Sequence, residues 1–120
     1  MKKTNIIKKN YEFQYFFKKG NYYSGKYLDI FIHENNNKNN YNKLGIVVSK
    51  KVGKSVIRNK IKRLIRESYY KIEEKINNKN IIISWKKNAN IEDATYYNIL
   101  NDLNSIFKKI ENKWKNYLFY

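Results

Sequence analysis

The 120-residue chain has no cysteine, no proline and a single histidine. Without cysteine there is no disulfide framework, no thiol nucleophile and no thiolate metal site, which suits a reducing cytoplasm. Without proline, nothing in the sequence breaks a helix sharply. No apolar run approaches the ~20 residues of a membrane span. The start, MKKTNIIKKNYEF, is basic but has no uninterrupted apolar stretch, so a secretory signal is not expected either. Acids are few, with 10 Asp and Glu against 26 Lys and Arg, and the net charge is +16. Arginine itself is scarce. All three arginines, Arg58, Arg63 and Arg66, fall within VIRNKIKRLIRESYY at residues 56–70.

What remains is one domain's worth of chain, residues 1–120, long enough for a real core and too short for two. A charge of +16 calls for a polyanionic partner, either nucleic acid or an anionic membrane surface. Aromatics at 17% are too many for a disordered basic tail and enough for a core plus stacking surfaces. The wealth of Asn, Lys, Ile and Tyr reads as a coding bias, against which retained arginine stands out.

Along the chain, NYEFQYFFKKG predicts a short helix, with Asn10 as its cap, Phe13, Phe16 and Phe17 at helical spacing and Gly20 at its end. KYLDIFIH alternates as a half-buried strand, with Leu28, Ile30 and Ile32 on one face and Tyr27, Asp29, Phe31 and His33 on the other. An extra short strand is expected near residues 22–25. The Asn-rich 34–43 segment reads as a flexible hairpin connection, LGIVVS (44–49) as a second strand, and Ser55 as the cap of a helix of about five turns over 56–72. On that helix Ile57, Ile61, Leu64, Ile65, Ser68 and Ile72 share a face, while Arg58, Lys62 and Arg66 run at i, i+4, i+8. NIIISW (80–85) is a compact strand. From Ile91 to Trp114 the apolar spacing predicts a long helix, with 111–120 as a C-terminal extension. The order describes a small mixed sheet of about four strands backed by helices.

Catalytic constellations are missing. His33 reads as a solvated surface histidine. The pairs Glu73–Glu74 and Glu92–Asp93 are adjacent on predicted helices, where neighbours diverge by ~100°, so neither is set for shared acid–base or metal work. No phosphate-binding loop, dinucleotide fingerprint or zincin motif occurs. The informative element is the 56–72 helix. It is either a solvated basic face or a phosphate-gripping one, and arginine's planar five-donor fork favours the second reading. Phe13 and Phe17 either pack in the core or line a groove against the sheet. Phe16, Trp85 and Trp114 read as core or its edge.

At SKKVGKSVIRNKIKRLIRESYY the chain resembles the bacterial ribonuclease P protein subunit. That family carries an S-K-K-(V/I)-G segment, matched by Ser49, Lys50, Lys51 and Gly53. A helix opening R-N-R-x-K-R-x-x-R follows, matched by Arg58, Asn59, Lys62, Arg63 and Arg66, with Lys60 where arginine is usual. The N-terminal helix matches at Phe13, Phe17 and Gly20. NIIISWKK resembles a further strand motif, with Asn80 replacing an acid and Trp85 a small residue. The likeness spans roughly residues 8 to 110. It implies an α/β (α+β) two-layer sandwich like the second domain of ribosomal protein S5, with a left-handed β-α-β crossover contrary to the usual hand.

It also implies a partner, the catalytic RNA of ribonuclease P, and a substrate, precursor tRNA, whose 5′ leader the holoenzyme removes by hydrolysis. Mg²⁺ would be held mainly by the RNA, and no protein side chain would be catalytic. Neither DNA nor membrane would be a partner. On this likeness Lys50, Lys51, Arg58, Asn59, Lys60, Lys62, Arg63 and Arg66 face the RNA, with Asn59 near RNA-bound Mg²⁺. Phe13, Phe17 and Phe31 (a tyrosine in many members) floor a leader cleft, joined by Lys86 and Lys87.

Overall fold

The computed structural model describes residues 4–35 and 41–118, with side chains described as far as Lys113. In chain order the elements are β1 (Thr4–Ile6), α1 (Asn10–Lys19), β2 (Asn21–Ser24), β3 (Leu28–Glu34), β4 (Asn42–Val47), α2 (Ser55–Ile72), β5 (Lys79–Trp85) and α3 (Tyr96–Leu118). Single 3-10 turns cover Lys50–Val52, Glu73–Lys75 and Ile91–Asp93. The strands form one sheet in the order β1-β4-β5-β3-β2. β1, β4 and β5 run parallel, and β3 and β2 are antiparallel. This is the expected mixed α/β fold, with five strands instead of about four. The additional strand, β1, is three residues long, too short to display an alternating pattern.

β5 holds the centre because it is apolar on both faces. Ile81, Ile82 and Ile83 are all fully buried, as a strand covered on both sides requires. Ile81, Ile83 and Trp85 join Leu28, Ile30, Ile32 and Leu44 against Ile61, Ile65 and Tyr69 of α2 and Ile99, Leu103 and Ile106 of α3. Ile82 points the other way, to Ile7 and Phe16, so α1 lies on the opposite face. Each fully buried Ile or Leu side chain contributes about 2 kcal/mol.

Because β5 lies between β3 and β4, these two strands are not hairpin partners, contrary to the expectation for the 34–43 segment. Its residues 36–40 lie outside the described residues, as do the side chain of Trp114 and the end of the C-terminal extension. Both expected caps are displaced. Asn10 and Ser55 are the first helical residues, and Lys9 and Lys54 precede them without a side-chain cap. The Lys9 carbonyl already accepts from Glu12 N–H, and that of Lys54 from Arg58 N–H. α3 begins at Tyr96 rather than Ile91, because Thr95 Oγ1 accepts from Asn98 N–H at 3.1 Å and restarts the helix.

Two buried polar groups fasten distant segments. The Asp102 carboxylate on α3 accepts the N–H groups of Lys26, Tyr27 and Leu28 at 2.8, 2.9 and 2.9 Å, holding the β2–β3 connection. A Cβ on Gly25 would stand 2.5 Å from that carboxylate, which explains the glycine. On the other side, Thr4 Oγ1 donates to the Glu73 carboxylate and accepts from the Tyr69 hydroxyl at 2.7 Å. Burial pushes the Tyr69 hydroxyl up to about 12. β1 is thereby pinned to the end of α2. Among the described residues, no helix is long and apolar enough to cross a membrane.

Candidate nucleic-acid interface

Helical spacing distributes the α2 cations around its exposed surface. Arg58, Lys62 and Arg66 follow one another a turn apart along one flank, of which Lys62 and Arg66 face Phe13 of α1. Lys62 and Arg66 line a cavity of about 160 Å³ there with Phe13, Ile6, Ile7 and Ile46. β1 pairs with β4 only as far as Leu44, so Ile46 stands at an open sheet edge beneath these cations. Asn59 and Arg63 are exposed on the crest of α2. Lys60 falls on the opposite flank and lines a different cavity, with Ile57, Ile61 and Ile91. The residues expected to form one RNA-facing surface therefore divide into a main ridge and one outlying lysine.

The arginines are not neutralised internally. Arg58 Nε donates to the Gly53 carbonyl at 3.1 Å, which fixes the guanidinium against the preceding turn and leaves its terminal nitrogens for other acceptors. Arg63 meets Glu67 at 3.9 Å with both side chains more than half exposed, a pair worth well under ~1 kcal/mol. Arg66 meets no carboxylate within ion-pair distance among the described residues. Lys50 and Lys51 are exposed on the 3-10 turn ahead of α2, where Ser49 Oγ accepts from Lys51 N–H at 3.2 Å.

The aromatic side chains converge on the face of the sheet that α1 covers. Phe16 is buried against Ile7 and Ile82, while Phe13, Phe31 and Val47 are half-buried around that cluster. Gly45 lies directly under the Phe13 ring, and a Cβ there would collide with it. Phe17, 36% exposed, meets Phe31 edge-on at 4.8 Å between ring centroids. Tyr22 continues the row, 5.1 Å from Phe31 and 54% exposed. Tyr22 and Phe31 are register partners across β2 and β3. The sequence signal for Tyr22 was present in that hairpin, since a cross-strand partner of a cleft residue shares its face.

Lys86, expected at the leader cleft, donates to Ser24 Oγ and lies 3.6 Å from Asp29, which in turn accepts from the Tyr22 hydroxyl at 2.6 Å. Lys87 is exposed. His33 is not a solvated surface group. It is half-buried beside the Tyr15 and Phe16 rings, with Nδ1 3.3 Å from the Asn80 amide nitrogen. α1 is further anchored by Lys43, whose ammonium donates to Glu12 at 3.0 Å. That hydrogen bond raises the Lys43 pKa above its ordinary value. Among the described residues no three His, Asp or Glu side chains gather at one point. The arrangement gathers cations and aromatic faces rather than an acid, a base and a nucleophile.

A family model described as Ribonuclease P matches residues 1–111. The ribonuclease P protein component of Fusobacterium nucleatum is 50% identical over 107 residues, covering 87% of this chain and 95% of that protein. Among solved structures, the Staphylococcus aureus RNase P protein superposes with a TM-score of 0.75 at 37% identity, over 88% of this chain and 94% of that one. The Thermotoga maritima RNase P protein gives 0.76 at 26% identity, over 88% and 96%. A cationic ridge on α2, an aromatic cleft under α1 and this extent of similarity together place the chain in the ribonuclease P protein family.

Proposed function

We propose that the chain is the protein subunit of a ribonuclease P holoenzyme, gripping the catalytic RNA along α2 and the 5′ leader of precursor tRNA between α1 and the sheet. The observation that carries this reading is that Phe13, Lys62 and Arg66 line one cavity, so the aromatic cleft and the cationic ridge form a continuous surface. A single strand lying across it finds stacking faces at Phe17, Phe31 and Tyr22, each worth ~1–3 kcal/mol against a base. Its phosphates find cations at Lys62 and Arg66. The ridge itself, Arg58 through Arg66 with Lys50 and Lys51 ahead of it, suits the regular phosphates of a folded RNA.

The chemistry, hydrolysis of the phosphodiester between leader and tRNA, belongs to the RNA, which supplies Mg²⁺ and the water it activates. The residues present fit a supporting role toward those ions. Asn59 offers an exposed neutral amide on the crest of α2, suited to the water shell that Mg²⁺ retains. The chain contributes affinity, register and charge neutralisation, and so lowers the Mg²⁺ needed for cleavage.

Reconstitution tests this. Adding the protein to its cognate ribonuclease P RNA at Mg²⁺ too low for the RNA alone is expected to restore leader removal. Unaltered cleavage with folded protein contradicts the reading, and equal stimulation of an unrelated ribozyme reduces the chain to a general RNA binder.

A further inference from the structure

The outlying Lys60 does not stand alone. It lines a cavity of about 430 Å³ whose floor is Ile57, Ile61 and Ile91 and whose rim carries Asn90 and Glu92. That volume falls within the ~300–1,000 Å³ usual for small-ligand sites. Ile91 is 40% exposed and Val56, one turn before Lys60, is 79% exposed. The 3-10 turn keeps the cavity open: Asn90 Oδ1 accepts from Glu92 N–H at 3.0 Å and holds Ile91 off the body of α3. Glu92 is exposed and makes no ion pair within 4 Å among the described residues.

We propose that this cavity receives a single unstacked nucleobase, one carrying an exocyclic amino group, from the RNA bound along α2. The inference deepens the reading above and rests on it. Three features select the occupant. The cavity lies on the flank of α2 opposite Lys62 and Arg66, with the exposed Asn59–Arg63 crest between them, so RNA seated on that crest would reach it. The isoleucine floor offers an apolar surface against which one face of a base is buried. Lys60 at the mouth neutralises the phosphate of the same nucleotide, and the Glu92 carboxylate accepts from an amino group on the base edge. An acyl chain uses the floor but leaves Glu92 without a donor.

Binding of the cognate ribonuclease P RNA by the full chain, measured across salt concentrations, separates the possibilities. Ile91→Ser changes an exposed side chain and carries no charge; its unfolding midpoint checks that the fold is retained. The expected result is a roughly tenfold loss of affinity with the log–log salt slope unchanged, because a base contact and not a phosphate contact has gone. Lys60→Ala is expected to lower the slope by ~0.7–0.9. Base-specific chemical probing of the RNA should show protection of one unpaired base lost with Ile91→Ser and all other protections kept. Wild-type affinity in Ile91→Ser overturns the proposal while leaving the ridge intact. A wild-type dimer that Ile91→Ser dissociates, with RNA affinity unaffected, assigns the cavity to a second copy and also overturns it. Absence of RNA binding by the wild-type chain overturns the wider reading along with this one.

Discussion

Single residues decide how tightly the ends of this chain are held. Tyr69 is fully buried, and its hydroxyl donates to Thr4, which donates to Glu73. Its pKa of about 12 in the folded chain lies above the ~10 of an unfolded tyrosine. The stability linked to that shift is complete below pH 10, where both states are protonated, and drains away between roughly pH 10 and 12 as only the unfolded chain ionises. Tyr69→Phe is therefore expected to cost about 1 kcal/mol at pH 8, from the lost hydrogen bond. The gap between wild type and variant should then shrink as pH rises toward 11. Urea unfolding at the two pH values measures it, and a pH-independent gap contradicts this placement of Tyr69. None of this network was legible in the sequence. Its partners are 65 and 69 residues apart, and hydroxyls and carboxylates have no periodicity to announce that they will meet. His33 was misjudged for the same reason, because its partner Asn80 arrives from the neighbouring strand β5.

The elements divide by how much local pattern they carry. α2 declared its buried face through Ile61, Ile65 and Ile72, and β5 declared itself through three consecutive isoleucines. β1 has three residues and exists because β4 offers it a partner. The position of β5 between β3 and β4 depends on pairing that no single segment encodes. α1 shows how one helix serves two purposes. Phe16 faces inward and is 7% exposed, whereas Phe17, its sequence neighbour, is 36% exposed against Phe31. Phe16→Ala is expected to destabilise the fold by about 3 kcal/mol in chemical unfolding. Phe17→Ala should cost roughly 1 kcal/mol or less, yet weaken binding of leader-bearing precursor more than of mature tRNA. Equal losses for the two RNAs would make Phe17 a packing residue only.

At the scale of the molecule, the 26 Lys and Arg are scattered along the whole sequence, so charge alone identifies no site. What distinguishes one region is geometry. α2, backed by the main core, carries Arg58, Lys62 and Arg66 a turn apart, and Lys62 and Arg66 open onto the cavity under Phe13. The sequence motif and its helical spacing supplied the residues and their division between two flanks of α2, but the meeting of Phe13 with Lys62 and Arg66 came from packing α1 and α2 on opposite faces of one sheet edge. The most direct test is the salt dependence of binding to the cognate ribonuclease P RNA, for wild type and for a chain in which Arg58, Lys62 and Arg66 are all alanine. If the ridge grips phosphates, affinity falls and the log–log slope decreases by about 2 to 3, from ~0.7–0.9 for each lost contact. A slope identical to that of the wild type would contradict the account, showing these side chains exposed to solvent and touching no RNA.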